Sequence, residues 1–205
     1  MILETVIVGS MEVNCYILAS DKNCPAIIID PGDDETKIRQ VLGNHGLKPA
    51  FVINTHGHFD HIGCDDKFGV PVYVHSQDAE SLKDARGNFS LFFGSTYKVK
   101  SGIRTLKDKE TIKLQEIELE VIHTPGHTAG GISLLMKEPK DNILFTGDTL
   151  FCQGIGRADL GGDEELLLRS IREKLLILPD DTVIYPGHGP SSTIGDEKKS
   201  NPFLN

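Results

Sequence analysis

Apolar residues early in the chain fall in short β-branched runs broken by glycine and polar segments. The runs at 3–8, 13–18 and 26–29 predict three strands, with Gly9 and the polar stretch 21–25 as the breaks. Asp30-Pro31-Gly32 then turns the chain. Asp33, Asp34 and Glu35 suit the positive end of a helix that His45-Gly46 closes. Runs at 50–53 and 70–74 predict further strands, and 76–83 predicts a helix with Ser76 as its N-cap. Residues 87–100 show no period. Their aromatics, Phe89, Phe92, Phe93 and Tyr97, either reach back into the core or form a lid over a site.

The plan then repeats. Runs at 111–114, 118–122, 132–136, 142–145 and 183–185 predict strands. Between the last two, 163–178 predicts a helix, with Asp163 as its cap and Leu166, Leu167, Ile171, Leu175 and Leu178 along one stripe. Strands and a helix, given twice, predict one α/β (α+β) domain over 1–205, two packed sheets with helices outside.

Composition narrows the function. With 39% hydrophobic and 25% charged residues the chain reads as a soluble globular protein. No apolar run approaches the ~20 residues that cross a bilayer. The first residues lack the basic region and cleavage site of a secretory leader, so a cytoplasmic protein without membrane association is expected. Cys15, Cys24, Cys64 and Cys152 form no C-x-x-C pair and read as reduced, buried thiols. A net charge of −9 speaks against a nucleic-acid partner.

The chemistry is concentrated after the run at 50–53, in Asn54-Thr55-His56-Gly57-His58-Phe59-Asp60-His61. Imidazoles and a carboxylate at this density are ligands for Zn²⁺, Fe or Mn. In an extended backbone His56 and His58 point the same way and can share one ion. Asp60 and His61 lie far enough on to serve a second. Three later strands also end in glycine turns that carry ligand-type residues: His127 in Pro125-Gly126-His127, Asp148 in Gly147-Asp148, and His188 in Gly187-His188. These complete a set large enough for two adjacent metals.

This set resembles the metallo-β-lactamase superfamily and, within it, the short single-domain relatives of glyoxalase II (hydroxyacylglutathione hydrolase). The resemblance implies a four-layer αββα sandwich with two divalent ions, Zn²⁺ first and Fe or Mn as alternatives. It assigns His56, His58 and His127 to one metal, Asp60, His61 and His188 to the other, and Asp148 to a bridge between them. Asp30 would orient the imidazoles from beneath. Asp60 would also orient a metal-bridging hydroxide that attacks the carbonyl of a small-molecule thioester, S-lactoylglutathione or a related compound. Gly154-Ile155-Gly156-Arg157 resembles the basic segment that helps bind glutathione there, making Arg157 an anchor for a substrate carboxylate, against a plain ion pair with Asp159.

Two departures matter. The chain is expected to stop short of the C-terminal helical domain of full-length glyoxalase II, and Gly189-Pro190 follows His188 where that enzyme has Glu-Tyr. Superfamily β-lactamases with an arginine or cysteine among their ligands differ from this donor set, and nucleases would need a basic surface. No serine sits in a nucleophile-elbow pattern. The rival reaction is that of the persulfide dioxygenases, with one Fe(II) on His56, His127 and Asp148; Gly156-Arg157-Ala158-Asp159-Leu160 resembles those enzymes too.

Overall fold

A computed structural model describes residues 1–137 and 142–204. The first sheet runs in chain order: β1 (Ile2–Val8), β2 (Val13–Ala19), β3 (Pro25–Ile29), β4 (Lys48–Ile53), β5 (Val72–His75) and β6 (Ile103–Leu106). Its first three strands are antiparallel and the pairs from β3 to β6 are parallel. Helix α1 (Glu35–Asn44) makes the β3–β4 crossover, and the short α2 (Phe59–Ile62) follows β4.

The second sheet holds β7 (Thr111–Leu114), β8 (Ile117–His123), β9 (Ile132–Met136), β10 (Ile143–Gly147), β13 (Val183–Pro186) and β14 (Ser192–Thr193), paired in that order. Between β10 and β13 the chain forms a small hairpin, β11 (Leu150–Phe151) with β12 (Gly154–Ile155), and then helix α3 (Glu164–Ser170). Helix α4 (Ile194–Ser200) follows β14.

Strand alternation explains the layering. Ile27 and Ile29 of β3 join Leu134 and Met136 of β9 in a core between the sheets. Ile28, one position out of phase, packs instead with Ile38 and Leu42 of α1. Leu135 likewise turns outward to Leu167 of α3 and Ile194 of α4. Central strands are thus buried on both faces and read as continuous apolar runs. The result is the α/β sandwich in four layers, helix, sheet, sheet, helix.

The structure departs from the sequence pattern in places that have physical causes. Residues 76–83 form turns with one 3₁₀ turn at Ser81–Lys83, and Ser76 caps nothing. The carboxylate of Asp78 there accepts from distant backbone, the Gly57 and Gly130 N–H groups. The helix at 163–178 is α-helical only to Ser170 and widens into a π turn over Ile171–Leu175, though Asp163 does cap it, accepting from the Leu166 amide at 2.9 Å. The 87–100 loop divides its aromatics: Tyr97 packs on the core that the first sheet shares with α1, while Phe89 and Phe93 turn toward the ligand cluster. Of the cysteines, Cys15 and Cys64 are buried, but Cys24 and Cys152 are half-buried; all four are free thiols. Among the described residues no helix is long and apolar enough to cross a membrane.

Candidate metal centre

Each candidate ligand follows the carboxyl end of a strand. The turn after β4 carries His56 and His58 and leads into α2 with Asp60 and His61; His127 follows β8, Asp148 follows β10 and His188 follows β13. Loops at these ends are held by rigid sheet, the usual place for a site in an open α/β fold. Backbone bonds stitch the two sheets together at this edge: Asn14 N–H to the Gly187 carbonyl at 2.8 Å and Ile132 N–H to the Thr55 carbonyl at 2.9 Å. Two glycines are dictated by crowding. A Cβ on Gly187 would lie 2.2 Å from Asp148 Oδ1 and 2.9 Å from His61 Cε1. Gly126 has φ +140°, and a Cβ there would lie 2.3 Å from the Leu167 backbone.

The seven residues converge in three overlapping groups whose donor atoms lie within 4.8 Å of one another: His56, His58 and His127; His56, His61 and Asp148; Asp60, His61 and His188. Asp148 and His188, remote in sequence, are part of the cluster: Asp148 Oδ2 is 3.6 Å from both His127 Nε2 and His188 Nε2. His127 Nε2 is 2.9 Å from His58 Nδ1 and 3.3 Å from His56 Nε2.

Outer contacts decide which nitrogen of each ring faces inward. His127 Nδ1–H donates to the Arg157 carbonyl at 2.7 Å, and His188 Nδ1–H donates to the Met11 carbonyl at 3.0 Å. His61 Nδ1–H donates to Asp30 Oδ2 at 3.0 Å. The Thr55 hydroxyl, donating to Asp30 Oδ2 at 2.6 Å, is left to accept from His56 Nδ1 at 3.1 Å. Asp30 itself is buried and also accepts the Thr55 amide at 2.7 Å. Four rings therefore turn Nε2, the nitrogen their outer contacts leave free, toward one another and toward the carboxylates.

That arrangement is costly without a cation. Buried His61 Nε2 and Asp148 Oδ1 have no hydrogen-bond partner, although they face each other at 3.4 Å. Lone pairs of nitrogen and carboxylate oxygen meeting in a buried space fit divalent ions with mixed N/O ligation. The cluster is able to bind metal ions.

Electrostatics divide the cluster in two. Burial, together with His61 and the other imidazoles, pulls His56 well below its ordinary range. Burial beside His127 pulls His58 down to about 3. Burial works against charge on His61 as well, but the carboxylates of Asp148, Asp30 and Asp60 outweigh it and push it up to about 10. His188 is raised against burial by its bond to Asp60 and by Asp148. Asp60, despite burial, is held well below the usual carboxylate range by His61 and His188. One half of the cluster is thus ready for a cation, and the other holds protons that a cation displaces.

Arg157 lines the cleft above the cluster, with its guanidinium forked on Asp159 through two bonds of 2.6 Å. Nothing in the residue pattern marks Asp78. Buried between the two ligand loops, it accepts Gly57 N–H at 2.9 Å on one side, and Thr128 Oγ1–H at 2.7 Å and Gly130 N–H at 2.6 Å on the other. Its position after an apolar run, where a helix was the simpler expectation, offered no signal. Thr55 and the Met11 carbonyl are likewise visible only in the fold.

A four-layer sandwich with this donor cluster at its strand ends defines a metal-binding hydrolase class. The chain belongs to the metallo-β-lactamase superfamily: the profile described as Metallo-beta-lactamase superfamily matches residues 8–188. Hydroxyacylglutathione hydrolase GloC from Haemophilus influenzae is 38% identical, covering 100% of this chain and 99% of its own. The crystal structure of BLEG-1 B3 metallo-beta-lactamase superposes with a TM-score of 0.91 at 37% identity over 100% of both chains. TTHA1623, in a di-iron-bound form, has a TM-score of 0.82 at 32% identity, covering 98% of this chain and 100% of that one.

Proposed function

We propose that this protein is a binuclear metal-dependent hydrolase of thioesters. The observation that carries the reading is the pair of buried, unpartnered atoms His61 Nε2 and Asp148 Oδ1, between two histidine groups whose inner ring nitrogens converge. In this reading His56, His58 and His127 would hold one ion, Asp60, His61 and His188 would hold the second, and Asp148 would serve both. Bound there, two divalent ions supply hydroxide at neutral pH and polarise a carbonyl. The chain's own part is orientation. Asp30 and Thr55 fix the rings of His61 and His56, the Arg157 carbonyl fixes His127, and the Met11 carbonyl fixes His188. Asp60, held ionised by His61 and His188, keeps an acceptor oxygen at the cleft to direct the proton of an attacking water.

The GloC relative supports a thioester as the substrate, and the TTHA1623 relative supports iron beside zinc as the ion. BLEG-1 favours a second reading, hydrolysis of a β-lactam amide: although this donor set lacks arginine and cysteine, that relative shares 37% of its residues. The dioxygenase alternative would use His56, His127 and Asp148 for a single iron; such enzymes keep the other motif residues too, so metal content and turnover separate the two readings. The test is protein loaded with zinc, manganese or iron, analysed for metal content and assayed on S-lactoylglutathione, other thioesters and nitrocefin. Two metals per chain with thioester turnover are expected. One iron per chain with oxygen uptake on glutathione persulfide, and no hydrolysis, would overturn the proposal.

A further inference from the structure

Above the donor cluster lies a cleft of about 280 Å³. Its walls are mostly apolar: Met11, Phe59, Phe89, Phe93, Phe151 and Ile155. Two of the rings touch ligand imidazoles directly. Phe89 meets His58 edge to face at 5.1 Å, Phe151 meets His188 at 6.2 Å, and Phe93 stacks on Phe59 at 4.5 Å. Phe93 is 59% exposed and Met11 47% exposed, so the rim presents large apolar side chains to water. Such a rim gains most from covering an apolar ligand.

Charge points the same way. Apart from imidazoles, Arg157 is the one cation among the described residues of the lining. Both arms of its fork are taken by Asp159 at 2.6 Å, and this bidentate geometry is the one a substrate carboxylate would need. Glutathione carries two carboxylates; the cleft offers them no unpaired cation.

We infer that the cleft selects thioesters with an apolar acyl arm and an uncharged thiol arm, over glutathione thioesters. The inference rests on the hydrolase reading above. In the reaction water forms the new C–O bond, the C–S bond breaks, and the sulfur leaves with the electron pair and takes a proton. The products are a carboxylate, a thiol and one released proton. The apolar carboxylate then leaves a cleft whose inner wall carries Asp60 and Asp148.

The experiment is a two-by-two panel on the metal-loaded protein: hexanoyl and lactoyl groups, each on N-acetylcysteamine and on glutathione. Hexanoyl-N-acetylcysteamine is expected to exceed S-lactoylglutathione in kcat/KM by about tenfold or more, on the scale of one apolar contact. Phe93→Ala should raise KM for the hexanoyl substrates about fivefold, and by less for the lactoyl ones. Asp159→Asn, which frees the guanidinium, should raise kcat/KM for both glutathione substrates relative to their N-acetylcysteamine partners. Binding is read separately with the inert thioethers S-hexyl-N-acetylcysteamine and S-hexylglutathione, the first expected to bind more tightly. Equal or faster turnover of the glutathione substrates, with Asp159→Asn neutral, would overturn the inference and leave the hydrolase standing. Absence of turnover on the whole panel by protein carrying two metals would overturn both.

Discussion

Replacing Asp30 with asparagine isolates the contact that sets the His61 ring. The carboxylate accepts three hydrogen bonds, from the Thr55 amide at 2.7 Å, the Thr55 hydroxyl at 2.6 Å and His61 Nδ1–H at 3.0 Å. An amide has one oxygen. Turned one way, its NH₂ opposes the Thr55 amide; turned the other, it opposes His61 Nδ1–H. Either clash leaves a buried donor unsatisfied, at about 1–3 kcal/mol. His61 can relieve the second clash by moving its proton to Nε2, but that removes the lone pair aimed at Asp148 and Asp60. A weakening of the second cation by about 10–100-fold follows, the size seen when outer partners of metal ligands are removed. The cation held by His56, His58 and His127 should lose less, because Asp30 reaches that group only through Thr55. Competition against a fluorescent chelator resolves the two affinities, and circular dichroism of the metal-free variant checks the fold. Two cations bound within about twofold of the unmodified protein would refute the idea that Asp30 sets the ring.

Other outcomes follow from the same geometry. Because His56 and His58 are held low while His61 and His188 are raised, the first cation should bind at pH 7 with almost no proton release and the second should displace about one or two protons; calorimetry in buffers of different ionisation enthalpy measures this. The His61 shift has a second consequence in metal-free protein. A raised histidine contributes stability that is full below pH 6.5 and is lost as the pH rises toward about 10, so the denaturation midpoint should fall across that window and less so in His61→Gln. Asp78→Ala strands two buried N–H groups in the ligand loops and should cost about 2–4 kcal/mol by chemical denaturation, with Asp78→Asn recovering part of it. Gly187→Ala should lower metal content and kcat together while far-ultraviolet circular dichroism stays unchanged, since its methyl would press on Asp148 and His61.

The long apolar runs reveal the sandwich because strands such as β2 and β9 are buried on both faces. What stays hidden is short or polar. In β6 only Leu106 is fully buried, and Arg104 and Thr105 lie open at the sheet edge. Helix α4 has no apolar stripe: it buries Ile194, Gly195 and the acid Glu197, whose carboxylate accepts the Gln153 amide at 2.9 Å. Ligand residues are legible because imidazoles and carboxylates rarely crowd one turn. Asp78 and Asp30 differ in this respect. Asp30 is found by analogy with the family, whereas Asp78 holds two loops that meet only after the sheets have packed.

Each donor group draws on both halves of the chain: His56 and His58 with His127, Asp60 and His61 with His188. A bound ion therefore acts as a clasp across the seam, tying residues 69 positions apart in the case of His58 and His127. Ligands that bind only the folded state stabilise it in proportion to the logarithm of their concentration, about 4 kcal/mol at a thousandfold excess over Kd. Starved of cations, the protein would part along that seam first and meet proteases there. Its abundance would then follow the local supply of free metal.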